Sequence, residues 1–176
     1  MGASDGTRRV LRLAAPSILE NLSVTLVNFA DTAMVGSLGA AATASVAINA
    51  SPTWFLTSLV SAMSVGGTAI VARAVGAGDR RRAERTLGQA LRLTLFLALG
   101  LSVTVGLLAG RIPAWMGARP DVLPQARQYL RILSFAFVPH FLGLVSAGLM
   151  RGAGDTRTPM RINLLTNVVN VAGNFL

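Results

Sequence analysis

Residues 87–110 read LGQALRLTLFLALGLSVTVGLLAG and contain a single charged side chain, Arg92. An α-helix needs about 20 consecutive apolar residues to cross a hydrocarbon core of about 30 Å. This run is long enough and apolar enough to do so. It therefore predicts a transmembrane helix, and it sets the length scale for the rest of the chain.

The composition of the whole chain agrees with a membrane protein. Of the 176 residues, 52% are hydrophobic and only 13% are charged, against about 25% charged in an average soluble domain. The mean hydropathy is +0.58. The chain has no cysteine, which excludes disulfides and cysteine-based metal sites.

Four further apolar runs, before and after residues 87–110, predict additional helices. The last of them is too short to cross a bilayer before the sequence stops at Leu176, so we expect a truncated fifth helix. The prediction is an all-α, polytopic membrane bundle of four complete transmembrane helices and the start of a fifth. The predicted spans are 11–36, 44–75, 87–110, 126–150 and 162–176.

Arginine placement predicts the orientation. All sixteen basic residues are arginine and the net charge is +9. The arginines cluster before the first span, after the second and after the fourth, at 8–12, 80–85 and 151–161. The positive-inside rule then predicts a cytoplasmic amino terminus in the inner or plasma membrane. Because the basic residues serve topology and do not form a patch with interleaved aromatics, the lipid bilayer is the expected partner and nucleic acid is not.

The first span carries polar residues that are costly in a bilayer. At about 100° per residue, Glu20 and Asp31 lie on nearly the same side, and the opposite side is apolar. A carboxylate there must face protein or water, so Asp31 is predicted to exchange a proton or Na⁺ as its surroundings change. A structural carboxylate held by neighbouring donors is the alternative. Residues sharing the polar side are predicted to line a cavity: Glu20, Asn21, Asn28 and Thr32.

The last span carries an independent polar signal, a row of asparagines on one helical face. The row consists of Asn163, Asn167, Asn170 and Asn174, at i, i+4, i+7 and i+11. Single asparagines often only bond across helices, whereas four on one face indicate a wet surface. Pairing this face with that of Asp31 would form one polar pocket.

Two loops resemble each other, and the chain lacks catalytic groups. Residues 76–80 read GAGDR and residues 152–157 read GAGDTR. The pattern predicts a left-handed glycine that ends one helix and an aspartate that caps the next, with an internal repeat as the alternative. One histidine, no cysteine and no nucleophile elbow argue against an enzyme, and no cofactor is expected.

Several motifs, in this order, resemble the amino-terminal lobe of the multidrug and toxic compound extrusion (MATE) family. Residues 15–21 read APSILEN and residues 27–36 read VNFADTAMVG. Further along the chain, residues 67–79 read GTAIVARAVGAGD, residues 149–160 read LMRGAGDTRTPM and residues 167–170 read NVVN. The resemblance covers nearly the whole chain, from about residue 11 onward.

The resemblance implies an antiporter of twelve helices in two lobes that exports bulky, often cationic, organic compounds in exchange for H⁺ or Na⁺. Asp31 matches the family's first-helix aspartate and Asn170 a fifth-helix asparagine of the same cation or proton site. Asn174 stands where many relatives carry a second carboxylate, which leaves Asp31 as the main titratable group. The carboxy-terminal lobe would be the missing partner.

Two alternatives remain open at this point. A lipid-linked saccharide flippase of the same superfamily would be expected to line its cavity with arginines for the pyrophosphate, and these spans place none near mid-membrane. A non-transporting membrane fragment or interaction subunit belongs to a different class. A stable, abundant 18.3 kDa product in the membrane would favour that reading.

Overall fold

The computed structural model describes the backbone of residues 3–174 and the side chains of residues 14, 15 and 18–173. Every regular element in this range is an α-helix, which confirms the predicted fold class. The helices are α1 (Ala3–Ser37), α2 (Ala40–Gly76), α3 (Arg80–Leu108), α4 (Ile112–Trp115), α5 (Leu123–Gly152) and α6 (Arg157–Asn174).

Within the described residues, three helices are long and apolar enough to cross a membrane. They are α2, α3 and α5, each with a strongly hydrophobic 18-residue segment. Helix α1 has ample length, 35 residues, but it is more polar because it carries the acids and amides noted above. A membrane crossing by α1 therefore stays a prediction.

The helices begin before the predicted apolar spans. Helix α3 begins at Arg80, about two turns before the predicted start at residue 87, because Asp79 caps its amino terminus and charged residues continue the helix outside the apolar run. The side chain of Asp79 accepts a hydrogen bond from the backbone N–H of Arg82 at 2.9 Å. Hydropathy identifies the apolar stretch, whereas the capping residue identifies where the helix begins.

Both similar loops adopt the predicted turn-and-cap conformation. Gly78 and Gly154 have φ of +72° and +89°, a left-handed conformation that glycine adopts without a steric cost. After the second glycine, Asp155 accepts bonds from the backbone N–H groups of Arg157 and Thr158 at 3.1 and 3.0 Å. The capping interpretation is confirmed, and the internal repeat stays a prediction.

One compact unit comprises residues 38–153. Here α2 and α3 both pack against α5, and α2 also packs against α3. The core lies along α5, where the rings of Phe137 and Phe141 stack with centroids 5.3 Å apart. Val60 of α2 and Ala98 of α3 are fully buried in the same core.

The second compact unit comprises residues 1–37 and 154–176. Its described part consists of α1 and α6, which pack against each other. All nine residues predicted to form the polar site belong to these two helices.

Candidate functional site

Helix α1 presents one buried face, and both of its acids in the described region lie on it. Glu20 is 8% exposed, and Val27 and Asp31 are half-buried. Seven and eleven residues are close to whole numbers of helical turns, so these side chains follow one line along the helix. The acids share a sector, as the helical wheel predicted.

A neighbouring face of α1 is polar and open. It consists of Asn21, Thr25, Asn28 and Thr32, all exposed. The hydroxyls of Thr25 and Thr32 donate to the carbonyls of Asn21 and Asn28 at 2.8 and 2.7 Å. These bonds satisfy the threonine donors within the helix and leave the two amide groups facing outward.

The remaining face of α1 is apolar and exposed. Leu22, Leu26 and Phe29 are 56%, 71% and 78% exposed, which suits contact with lipid. Three sectors thus divide the helix: a buried acidic sector, an open polar sector and an apolar sector.

The buried acidic sector is joined to α6 by a direct side-chain hydrogen bond. The Nδ2 atom of Asn163 donates to Oε1 of Glu20 at 2.5 Å. Glu20 and Asn163 are two predicted site residues that the structure joins by a direct hydrogen bond. The first asparagine of the predicted row therefore faces α1.

The rest of the asparagine row varies in environment. Asn167 is half-buried, and its Nδ2 atom is buried without a hydrogen-bond partner. The side chain of Asn170 is exposed and interacts with another group. The side chain of Asn174 lies outside the described residues, so its predicted role stays a prediction.

Chain topology gives the relative direction of α1 and α6. Three membrane-length helices, α2, α3 and α5, separate them along the chain. If these three helices cross the membrane as predicted, the end of α1 and the start of α6 would lie at opposite surfaces, and the two packed helices would run in the same direction. Asn174 follows Asn163 by eleven residues, just as Asp31 follows Glu20. The predicted topology therefore places residue 174 as far beyond Asn163 along α6 as Asp31 is beyond Glu20 along α1, about 16 Å.

A second buried polar group lies in the other unit and was not singled out from the sequence. Asn49 of α2 is 1% exposed. Its Nδ2 atom donates to the carbonyls of Ser45 at 2.8 Å and Ala126 at 3.0 Å, while its Oδ1 atom has no partner. An amide in the middle of an apolar span was the available signal, and the bond to Ala126 on α5 shows that it joins two helices.

Metal-ligating side chains do not converge in the described part of the chain. Among the described side chains, those of residues 14, 15 and 18–173, no group of three or more His, Asp or Glu could hold a metal ion. The described side chains of α1 and α6 offer two carboxylates and several amides, whose oxygen atoms are hydrogen-bond acceptors.

The chain matches one protein family over most of its length. Residues 16–176 match the MatE family. The probable multidrug resistance protein NorM of Thermotoga maritima is 29% identical over 93% of this chain and 35% of its own length. The DNA damage-inducible protein F of Escherichia coli is 32% identical over 90% of this chain and 35% of its own. The chain thus spans about a third of the length of these relatives.

The backbone also matches a solved transporter structure. A MOP superfamily transporter from Pyrococcus furiosus superposes with a TM-score of 0.88 and 26% sequence identity. The match covers 94% of this chain and 37% of that one. The fold of this chain is therefore found in part of a longer membrane transporter.

Proposed function

Since the chain belongs to the MatE family, we propose that it forms the amino-terminal lobe of a secondary active transporter. The complete transporter would export bulky organic compounds, among them drugs, in exchange for H⁺ or Na⁺. The lobe would lie in the inner or plasma membrane with its amino terminus in the cytoplasm. A carboxy-terminal lobe would complete the substrate path.

The observation that carries this proposal is the position of Asp31. Its side chain is half-buried on the face of α1 that packs against α6, a helix that carries four regularly spaced amides. An ionisable group within a membrane helix is costly unless it has a function or a partner. Half-burial keeps such a group within reach of both water and protein, which suits a site that loads and releases an ion.

The coupling step follows from the two charge states of Asp31. When the carboxyl is protonated it is neutral, and nearby amide oxygens can accept its O–H. When it is ionised it requires a compensating cation or amide N–H donors, and Na⁺ prefers the same oxygen ligands that Asn170 and Asn174 could offer. Either ion would stabilise a state of the lobe that differs from the empty one, and that difference couples the ion to the transport cycle.

The open polar face of α1 suits the substrate side of this cycle. Asn21, Thr25, Asn28 and Thr32 offer hydrogen-bonding groups without charge, next to the acidic sector but distinct from it. Relatives include proteins named as multidrug resistance proteins and one named FAD transporter. The test of substrate class therefore includes an organic cation and a flavin nucleotide.

The decisive experiment replaces Asp31 in the complete transporter that contains this lobe. We expect Asp31→Asn to abolish efflux of a fluorescent organic cation driven by a pH or Na⁺ gradient, with membrane insertion unchanged. The matched control is Asp121→Asn, which removes an exposed acid paired with Arg119 in a loop. Efflux by the Asp31 variant equal to that of the control would refute the proposal.

A further inference from the structure

Glu20 is a buried acid that the coupling step above does not use. It is 8% exposed and bonded to Asn163 of α6. A neutral carboxylic acid is far less costly to bury than a carboxylate, so a buried glutamate in a membrane helix is a functional candidate in its own right.

The other charged residues described on α1 and α6 lie away from Glu20. Helix α6 carries two charged residues, Arg157 and Arg161, and both are exposed. Arg161 is two residues before Asn163 and therefore about 160° around the helix from it. On α1, the next acid is Asp31, about 16 Å along the axis, and the side chains of Arg8, Arg9 and Arg12 lie outside the described residues.

Asn167 lies on α6 at a level between the two acids of α1. It is one turn beyond Asn163 on α6, and because the helices run in the same direction in the predicted topology, this turn leads from Glu20 towards Asp31. Its buried Nδ2 atom has no protein partner. Buried polar groups of this kind are satisfied by water when space allows, so the N–H points to a water molecule between the helices.

We propose that Glu20 is a second proton-binding residue, which exchanges protons with Asp31 through water held at Asn167. The two acids are about 16 Å apart along the axis, which is more than one water molecule can span. The carboxylic acid of one residue therefore gives its proton to the first water of a hydrogen-bonded chain that passes Asn167. Each water passes a proton to the next, and the last water gives a proton to the carboxylate of the other residue. Asn163 holds the Glu20 carboxyl in place as the positioning residue. Glu20 is nearer to the start of α1, so it would be the end of the route at the proposed cytoplasmic surface.

This inference rests on the proposed function, yet it can be measured without transport. The experiment uses the 176-residue chain in lipid bilayers and records infrared difference spectra between acid and neutral pH. Protonated carboxylic acids give a carbonyl stretching band that carboxylates lack. Seven acidic side chains contribute to this band, so each variant spectrum is subtracted from that of the unsubstituted chain. We expect this subtraction to isolate one component in Glu20→Gln and a second component in Asp31→Asn.

Two further variants separate proton binding from a structural role. Asn163→Ala keeps the glutamate but removes its partner, so the Glu20 component should remain but change its carbonyl stretching frequency, which depends on hydrogen bonding to the carboxyl. Asn167→Leu fills the proposed water position and should slow hydrogen–deuterium exchange at the Glu20 carboxyl, which is 8% exposed. Its control is Val168→Leu, a change at a residue that is 65% exposed.

The outcomes are distinct. A spectrum of Glu20→Gln that equals that of the unsubstituted chain would overturn proton binding at Glu20. A Glu20 component with unchanged frequency in Asn163→Ala would overturn the positioning role of Asn163. Equal exchange rates in Asn167→Leu and Val168→Leu would overturn the water route. A complete transporter that fails to move any substrate while both acid components remain would refute the proposed function alone.

Discussion

A Cβ atom added to Gly152 would lie 2.6 Å from the backbone carbonyl oxygen of Thr68. Helices α5 and α2 therefore meet there with backbone against backbone. One turn earlier on α5, a Cβ on Gly148 would overlap the hydroxyl oxygen of Ser64. Small residues spaced by four are the usual basis of close packing between membrane helices, and here they fix the contact between α2 and α5.

Replacement of Gly152 by alanine should destabilise the unit formed by residues 38–153. The added methyl group meets backbone, which cannot rotate away, so we expect a loss of about 1–3 kcal/mol in the free energy of unfolding. Gly143 is the matched control, because it lies on the same helix and a Cβ there meets nothing within 4 Å. Equilibrium denaturation in detergent compares the two. Equal stability of Gly152→Ala and Gly143→Ala would contradict the close approach.

The contact of Gly148 makes a different prediction, because its obstacle is a side chain. Gly148→Ala alone should destabilise the protein, since the methyl group would overlap the Ser64 hydroxyl. The double variant Gly148→Ala, Ser64→Ala should recover part of the loss, as the nearest obstacle is then gone while the Thr68 hydroxyl, 3.0 Å away, remains. The double-mutant cycle measures this coupling. If the two changes in the free energy of unfolding were strictly additive, the predicted contact between position 148 and the Ser64 hydroxyl would be excluded.

The sequence predicted the helices better than the contacts between them. Apolar runs placed all five long helices, because about 20 apolar residues leave few alternatives in a bilayer. The short helix α4 has no apolar period and was not predicted. The close contact of α5 with α2 at Gly148 and Gly152 was not predicted. Gly148 was interpreted as part of a helix and Gly152 as part of a loop, because the sequence does not tell which face of α5 meets which face of α2.

Asn49 should contribute to stability through its bond to the other helix. Asn49→Ala removes the hydrogen bond to the carbonyl of Ala126 on α5, and bonds between membrane helices contribute about 0.6 kcal/mol on average, up to about 2. Ser45→Ala is the control, because the Ser45 hydroxyl bonds only to Ala41 of its own helix, at 2.8 Å. Both positions are buried on α2. A larger loss of unfolding free energy in Ser45→Ala than in Asn49→Ala would contradict the assignment.

Asp155 should titrate at a lower pH than a free aspartate. Hydrogen bonds from the side chain and the backbone N–H of Thr158 hold the pKa of Asp155 below its ordinary value of 3.8. Its capping contribution is therefore fully present above pH 3.8 and is lost as the pH falls through the lower, folded-state pKa. The amide proton shift of Thr158, followed by NMR against pH, reports this midpoint. Asp155→Asn keeps an acceptor oxygen and should give a flat profile, and a midpoint at or above 3.8 would refute the cap.

The helical wheel of α1 predicted which residues are on its polar side but not which of them pack against another helix. The wheel grouped Glu20, Asp31, Asn21, Asn28 and Thr32 as one polar side. In the structure the acids lie on the face that packs against α6, while the amides and Thr32 lie on an open face beside it. Both sectors are polar, so polarity alone could not tell the covered face from the open one. The bond between Glu20 and Asn163 makes that distinction.

The open polar face of α1 should be reached by water in the membrane. Because the chain has no cysteine, single cysteines can be introduced without removing others. We expect cysteines at Asn21 and Asn28 to react with a water-soluble maleimide about tenfold or more faster than cysteines at Leu22 and Phe29, because thiolates form and react in water and not in hydrocarbon. All four positions are exposed in the structure, so differences in burial do not explain such a result. Equal labelling at Asn28 and Phe29 would mean that both faces meet the same surroundings, and the open polar face could then not belong to a substrate path.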